Sequence, residues 1–280
     1  MKTLRARCWL VAALLWPAVA GAVTDAGGAL SLAVVPQFPA LEIHRVWTPV
    51  AKALEQSLGR PVMLKMYASI PVFERDFLAG QPDLVYLNPY HMVMAHRAHG
   101  YLPLVRDGAQ QLSGILMVQA GSPITALADL NGRQIAFPAP NAFGASLLLR
   151  ALLADEHHVR FTPVYVKMHG NAYRYTARGE TAAAGGIRST LQREPEELRS
   201  KLRLLYESPG FAAHPLAVHP RLPREVREKV ASVLPQMKQG EEGRATLAAI
   251  PMKEPVPADY NRDYARLEKL GLERLVVLED

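Results

Sequence analysis

Gln134-Ile-Ala-Phe-Pro-Ala-Pro-Asn-Ala-Phe-Gly144, running straight into Ala145-Ser-Leu-Leu-Leu-Arg-Ala-Leu-Leu153, is a short apolar strand whose Pro/Asn/Gly turn opens directly into a helix. A helix that starts where a strand ends leaves backbone N–H groups unpaired and a partial positive charge at the turn, which suits an anion. Most strand–loop–helix junctions in α/β proteins bind nothing, so the weight of this one depends on the rest of the chain.

Outward from that junction the pattern repeats. On the N-terminal side the spacing predicts a strand over 29–35 and a helix over 41–58, with Ile43, Val46, Trp47, Val50, Leu54 and Leu58 on one stripe and Gly59 closing it. Pro49 implies either a kink in that helix or a start near Thr48. A strand over 62–67, a helix over 72–79 capped by Gly80, and a strand over 84–87 entering a helix over 89–98 complete a first set. Extended segments at 102–105 and 114–119 precede the turn Asp129-Leu-Asn-Gly-Arg133. After the junction come a helix to 154, a strand over 162–166, a helix from about 171, an Ala-rich strand over 182–184 and a helix over 187–198. Segments 202–206 and 216–219 read as extended, and the tail from 223 as helical with Pro and Gly breaks. Strands alternating with helices indicate βαβ units with mostly parallel sheets. The expected architecture is α/β in two lobes joined by two chain crossings, lobe I over 29–114 plus 214–280 and lobe II over 115–213. Ligands of open parallel sheets bind outside the carboxyl ends of the strands. Those ends are 36–38, 67–69, 88–91, 140–144, 169–171 and 185–187.

The chain of 280 residues opens with Met1-Lys-Thr-Leu-Arg-Ala-Arg7, an apolar run from Cys8 to Trp16 and Pro-Ala-Val-Ala-Gly-Ala22. Basic, apolar and small-residue regions in that order read as a secretory signal peptide over 1–22, cleaved after Ala22 or alternatively after Ala20. The run is too short for a membrane span, which needs roughly 20 apolar residues. Cleavage removes Lys2, Arg5 and Arg7 and no acid, so the formal charge falls from +6 to +3. That is compatible with steering small anions and too weak to indicate nucleic acid. Cys8 is the only cysteine and leaves with the leader, so neither disulfides nor thiol chemistry is expected in the mature, exported protein.

The order Ala33-Val-Val-Pro-Gln37, Phe77-Leu-Ala-Gly80, Asp83-Leu-Val-Tyr-Leu-Asn-Pro89, Leu127-Ala-Asp-Leu-Asn-Gly-Arg133, the Asn141 to Gly144 turn, His169, Glu207-Ser-Pro209 and Leu216-Ala-Val218 resembles the phosphate/phosphite/phosphonate ABC transporter periplasmic substrate-binding family. The resemblance covers nearly all of the mature chain. It implies a clamshell of the type II periplasmic binding protein kind that holds a phosphorus oxyanion between its lobes and delivers it to an ABC importer. Family members grip the anion with a hydroxyl-rich turn at a helix N-terminus and a histidine after the next strand, which here correspond to Asn141, Ala142, Phe143 and Gly144 and to His169. The usual Ser-Thr-Ser-Gly hydroxyls are missing, although Ser146 could reach back. Two lost hydroxyl donors, each worth about 1.5–3 kcal/mol to a charged acceptor, would weaken phosphate-like binding strongly. Members that bind an aminoalkyl phosphonate carry a carboxylate near Gly185-Gly186, where this chain has none unless Glu180 substitutes.

Gln37, Phe38, Tyr67, Asn88, Tyr90, His91 and Asn171 complete the expected ligand-binding set. Of these, Tyr90 and His91, with Phe143 and Tyr86, would give a stacking wall, while Asn88 and Pro89 also suit a helix start. Arg188 either faces the cleft or is an exposed helical residue. His44, His214 and His219 read as surface or hinge positions, and Tyr173 and Tyr175 as packing. No metal site is expected, because the other histidines lack convergent carboxylate partners. No cofactor is expected either. The motifs Gly-x-Ser-x-Gly, His-Glu-x-x-His and Gly-x-x-x-x-Gly-Lys are all absent, so a binder is expected rather than an enzyme. The expected partners are a small anion and an ABC permease, with the protein a periplasmic monomer. The alternative is a binding protein that presents its closed state, with a different small anion, to a membrane sensor kinase or cyclase.

Overall fold

A computed structural model describes residues 28–278, so the signal peptide read over 1–22 lies outside the described residues. Strands β1 (Leu30–Val34), β2 (Val62–Lys65) and β3 (Leu84–Tyr86) pair in parallel with β1 in the middle. Helices Ala40–Leu58 and Ile70–Leu78 supply the crossovers that parallel pairing requires. After β4 (Leu102–Asp107) the chain passes through 108–113 into a second sheet. That sheet comprises β5 (Gly114–Gln119), β6 (Gln134–Phe137), β7 (Thr162–Tyr165), β8 (Ala183–Ile187) and β9 (Leu202–Glu207). The chain then returns through 208–214 to β10 (Pro215–Val218) and β11 (Pro255–Pro257).

The strand orders are β11-β4-β10-β3-β1-β2 and β7-β6-β8-β5-β9. Both sheets are mixed: β10 runs antiparallel between β3 and β4, and β5 antiparallel between β8 and β9. The parallel strands belong to βαβ units, while the antiparallel pairings involve β4, β5, β9 and β10 beside the interlobe crossings and the edge strand β11. The two crossings are themselves tied by a bridge between Leu112 and Phe211. Two α/β lobes joined in this way agree with the clamshell expected from the sequence.

In lobe II the strand period of two is visible in β5. Leu116 and Val118 face a core with Ile135, Phe137, Leu149 and Leu153, whereas Ile115 and Met117 face another with Ala136, Ala172 and Tyr173. In lobe I the apolar stripe Ile43, Val46, Trp47, Val50 and Leu54 is buried, and it holds helix Ala40–Leu58 together across Pro49. The Thr48 hydroxyl donates to the carbonyl of His44 in the same turn. Gly59 ends this helix at φ 66°, the left-handed geometry that favours glycine. The single helix expected over 187–198 is instead two short ones, Arg188–Leu191 and Glu196–Arg199. Pro195 disfavours helical geometry in the residue before it, which breaks the run and leaves Arg193 between the pieces.

Gly185 and Gly186 lie on β8, the strand with helices on both faces. A Cβ on Gly185 would come within 2.1 Å of the Ala145 carbonyl oxygen, and one on Gly186 within 2.0 Å of the Tyr173 hydroxyl. The glycines therefore permit the close approach of the helix that follows Ala142 on one side and of helix His169–Ala177 on the other. No side chain fits at either position, which is a steric reason for the missing carboxylate. Gly185→Ala is expected to cost about 1–3 kcal/mol in urea denaturation, because a backbone carbonyl must move.

Candidate ligand-binding site

The ends of β1, β3, β6, the connection after β7, and the second crossing meet at the seam between the lobes. Asn88 caps helix Pro89–His99 by accepting from His91 N at 2.8 Å, and its Nδ2 donates across the seam to the Asn141 carbonyl at 3.1 Å. Beyond β6, the turn opens a helix that begins as a π-turn at Phe143–Leu147. Ser146 and Leu147 donate back to the Ala142 carbonyl, while the N–H groups of Phe143, Gly144 and Ala145 make no backbone hydrogen bond among the described residues. His169 opens the next helix and is buried, its Nδ1 lying 3.3 Å from Thr190 Oγ1.

These groups surround an inner cavity lined by Val35, Gln37, Asn88, Phe143, Gly144 and His169, with Ile70, Ala142, Ala145, Ile187 and His214. Its volume is ≈ 10 Å³, about the room for one water. A neighbouring cavity of ≈ 80 Å³ shares Gln37 and His214 with it and extends to Tyr86, Gln111, Arg188 and Glu207. Among the described residues the inner cavity is lined by no Asp, Glu, Lys or Arg. Arg188 does reach the neighbouring cavity, but its guanidinium is forked onto the Glu207 carboxylate, so the pair presents little net charge.

Sequence reasoning missed His214. Read as a surface or hinge position, it does sit on the second crossing, yet it is buried, stacked on Tyr86 with centroids 5.6 Å apart, and 3.0 Å from Gln37 Nε2. Burial pushes its pKa down to about 3, helped by the nearby His91 and His169, and burial alone holds His169 down to about 4. Both rings are therefore neutral near pH 7. His214 follows the apparently featureless Phe-Ala-Ala and precedes Pro215, so no local pattern marked it.

The structure brings Gln37, Asn88, Ala142, Phe143, Gly144 and His169 to the inner cavity and places the other expected residues elsewhere. Phe38 lies under the Arg193 guanidinium, 4.1 Å from ring centroid to Cζ. Tyr67 bonds to Asp76, and burial together with that carboxylate raises its pKa. Tyr90 is buried in the apolar core and does not line the inner cavity. His91 is wedged beside Phe73 and Phe77 with Nε2 2.7 Å from Glu74 Oε1, so it does have a carboxylate partner and offers no stacking wall to the cleft. Asn171 donates to the Val166 carbonyl at 2.9 Å. Asn141 spends its amide on structure: it donates to Glu74 Oε2 at 3.0 Å and to the Val277 carbonyl at 2.7 Å, and accepts from Val277 N at 3.0 Å.

Asn141 is one of several clasps that hold the lobes shut. Arg193 of lobe II reaches over to Glu42 at 2.6 Å and to the Ala249 carbonyl while covering Phe38. The C-terminal segment after Gly271 packs on lobe II, where Arg150 donates to the Leu275 carbonyl at 2.8 Å and Arg274 pairs with Asp155.

Comparison with known proteins gives these features a family. The sequence profile described as "ABC transporter, phosphonate, periplasmic substrate-binding protein" matches residues 32–264. This chain belongs to that family. Its members are the substrate-binding components of transporters rather than catalysts, and they work in the periplasm. Among the described residues no helix is long and apolar enough to cross a membrane. Solved structures with the same fold include the binding protein of an ABC phosphonate transporter from Pseudomonas aeruginosa, at 16% identity and a TM-score of 0.77, with 89% of this chain and 88% of that chain covered. A Prochlorococcus marinus protein in complex with methylphosphonate matches at 14% identity and a TM-score of 0.80, covering 89% and 98%. A Xanthomonas citri protein bound to ATP matches at 15% and 0.73, covering 89% and 98%.

Two predictions follow from the geometry of this phosphonate-family cleft. Arg193→Ala removes an ion pair, a carbonyl contact and a ring contact together. It is expected to loosen the seam, with a larger radius of gyration in small-angle scattering and a stability loss of about 1–2 kcal/mol. The second concerns pH. His169 and His214 are neutral when folded but titrate near pH 6.5 when unfolded, so the unfolded chain takes up their protons first as pH falls. Their stability contribution is complete above about pH 6.5 and is lost towards the folded pKa values, at about 2 kcal/mol for each ring by pH 5. Urea midpoints measured between those pH values check this, and a flat profile would contradict it.

Proposed function

We propose that this protein captures a small phosphorus oxyanion, a phosphonate, phosphite or phosphate, at the inner cavity and delivers it to an ABC importer. One observation carries the reading: Phe143, Gly144 and Ala145, whose N–H groups make no backbone hydrogen bond among the described residues, line one small cavity at the lobe seam together with Asn88, Gln37 and two buried neutral histidines. Backbone donors at a helix start bind an anion without hydroxyl help. Neutral donors in an enclosed site also avoid burying an unpaired cation when the ligand is absent. An oxyanion is larger than one water, so its entry parts the lobes at the seam, and its retention draws them back onto it. The closed state is then favoured by the differential affinity of the ligand for it, and a permease can read the lobe angle. The closed positions at Gly185 and Gly186 support a ligand without an ammonium group.

A thermal-shift screen against phosphate, phosphite, methylphosphonate, aminoethylphosphonate, sulfate and small carboxylates tests the proposal. A bound ligand at 100 times its dissociation constant adds about 2.7 kcal/mol. Stabilisation by one or more phosphorus oxyanions is expected, with aminoethylphosphonate the weakest of the phosphonates. His169→Ala should stay folded by circular dichroism and bind about tenfold more weakly, the loss of a hydrogen bond to a charged group. Carboxylates stabilising the protein while every phosphorus compound fails would overturn the assignment.

A further inference from the structure

The hydrogen bonds behind His169 determine which of its ring nitrogens carries the proton. Thr190 Oγ1 lies 2.9 Å from the Ile187 carbonyl oxygen, 2.8 Å from the Tyr173 hydroxyl and 3.3 Å from His169 Nδ1. The Tyr173 hydroxyl also lies 3.2 Å from the Ile187 carbonyl oxygen, which has no proton to give, so two hydroxyl hydrogens must serve three close oxygen–oxygen approaches. Spending the Thr190 hydrogen on His169 would leave two of the three unbridged in a buried site, so it goes to the Ile187 carbonyl or to Tyr173. Thr190 Oγ1 then faces His169 with lone pairs only, as the acceptor for a proton on Nδ1. Tyr173 has its own acceptor capacity engaged by the Ile187 N–H at 3.2 Å. A neutral imidazole has a single ring proton, and with that proton on Nδ1 the other nitrogen, Nε2, is a bare acceptor.

Nε2 is the buried atom of His169 that has no partner among the described residues, and the residue lines the inner cavity at 3% exposure. An acceptor here is unexpected for an anion site, since a fully ionised oxyanion would set lone pair against lone pair. A ligand oxygen that still carries a hydrogen would make a good bond. We infer that, within the oxyanion-binding reading on which this rests, the cavity selects an acid group in its monoprotonated form, the P–O–H donating to Nε2 of His169 while the remaining oxygens accept from the helix-start N–H groups. Sulfate, which has no proton to offer near neutral pH, is rejected by the same lone pair.

The surroundings of the ring leave this polarity in place. Thr190 faces it from helix Arg188–Leu191, Tyr173 from its own helix, and the neutral His214 from the second crossing. An ion pair on the same helix, Arg174 with Glu194 at 2.7 Å, lies against Gly170 and is internally compensated. Burial opposes the alternative of protonating His169 to an imidazolium.

Side-chain nitrogen NMR on the full chain reads the tautomer directly, with His169→Gln identifying the resonance. Protonated Nδ1 is expected, and a neutral ring protonated on Nε2 would overturn the inference whether or not any ligand is known. Calorimetry with methylphosphonate, inorganic phosphate and sulfate tests selection. Affinity for the first two should fall about tenfold per pH unit above the second pKa of the probe, with one proton drawn from buffer per ligand bound in that range and none well below it, and sulfate should not compete. Thr190→Val, which removes the acceptor holding the Nδ1 proton, should narrow the gap between sulfate and methylphosphonate. Tight binding above that pKa with a flat pH profile and no proton drawn from buffer, or equal competition by sulfate, overturns the selection but leaves oxyanion binding standing. Failure of methylphosphonate, phosphate and phosphite at every pH, with carboxylates binding, overturns both.

Discussion

The close backbone approach at β8 is the constraint on which the site depends. Because Gly185 and Gly186 have no side chains, the Ala145 carbonyl and the Tyr173 hydroxyl can press on opposite faces of one strand. That contact sets the depth of the helix start at Phe143 and the position of the helix that carries His169. Tyr173 also bonds to Ile187 at the end of the same strand, so the strand, the helix and Thr190 form one buried polar unit. A bulkier residue on β8 would move the anion-facing turn and the histidine apart together.

The second determinant is how polar groups are spent along the seam. Asn141 looks like a ligand residue, and in the fold its amide satisfies Glu74 and the Val277 backbone instead. Each of those groups would be costly if left unpaired in a buried interface. The consequence is a cavity whose recognition rests on main-chain donors and neutral side chains. Formal charges stay at its edge, where Arg188 and Glu207 neutralise one another. The apolar core of lobe I continues across the seam to Phe143, Leu147 and Leu148 of lobe II, so closure also buries hydrocarbon.

Much of the fold was legible because strand and helix periods are local. The strands Gly114–Gln119 and Gln134–Phe137 were read to the residue, and Gly59 and Gly100 end helices at positive φ. The mixed character of the sheets was not legible, since pairing β10 between β3 and β4 is a long-range event that leaves no periodic mark. Of the site, the residues at strand ends came together when the backbone alone decided their position, as for Asn88 and the 142–144 turn. Tyr90 and His91 were misplaced because a strand end fixes where a helix starts but not which of its first side chains turn inward. Here Glu74 and two phenylalanines draw His91 into lobe I. His214 and Arg193 were invisible for a related reason: each matters through contacts with residues far away in the sequence, and neither belongs to a periodic segment.

The segment after Gly271 gives the molecule an unusual handle. It leaves lobe I and is fastened to Asn141, Arg150 and Asp155 of the opposite lobe, beside the cleft rather than at the hinge. Parting the lobes must therefore either peel this segment away or carry it along. A fluorophore attached near Val277, paired with one on the outer surface of lobe I, would turn that displacement into an optical signal, making the chain a single-protein sensor frame whose output is independent of the chemistry inside the cavity.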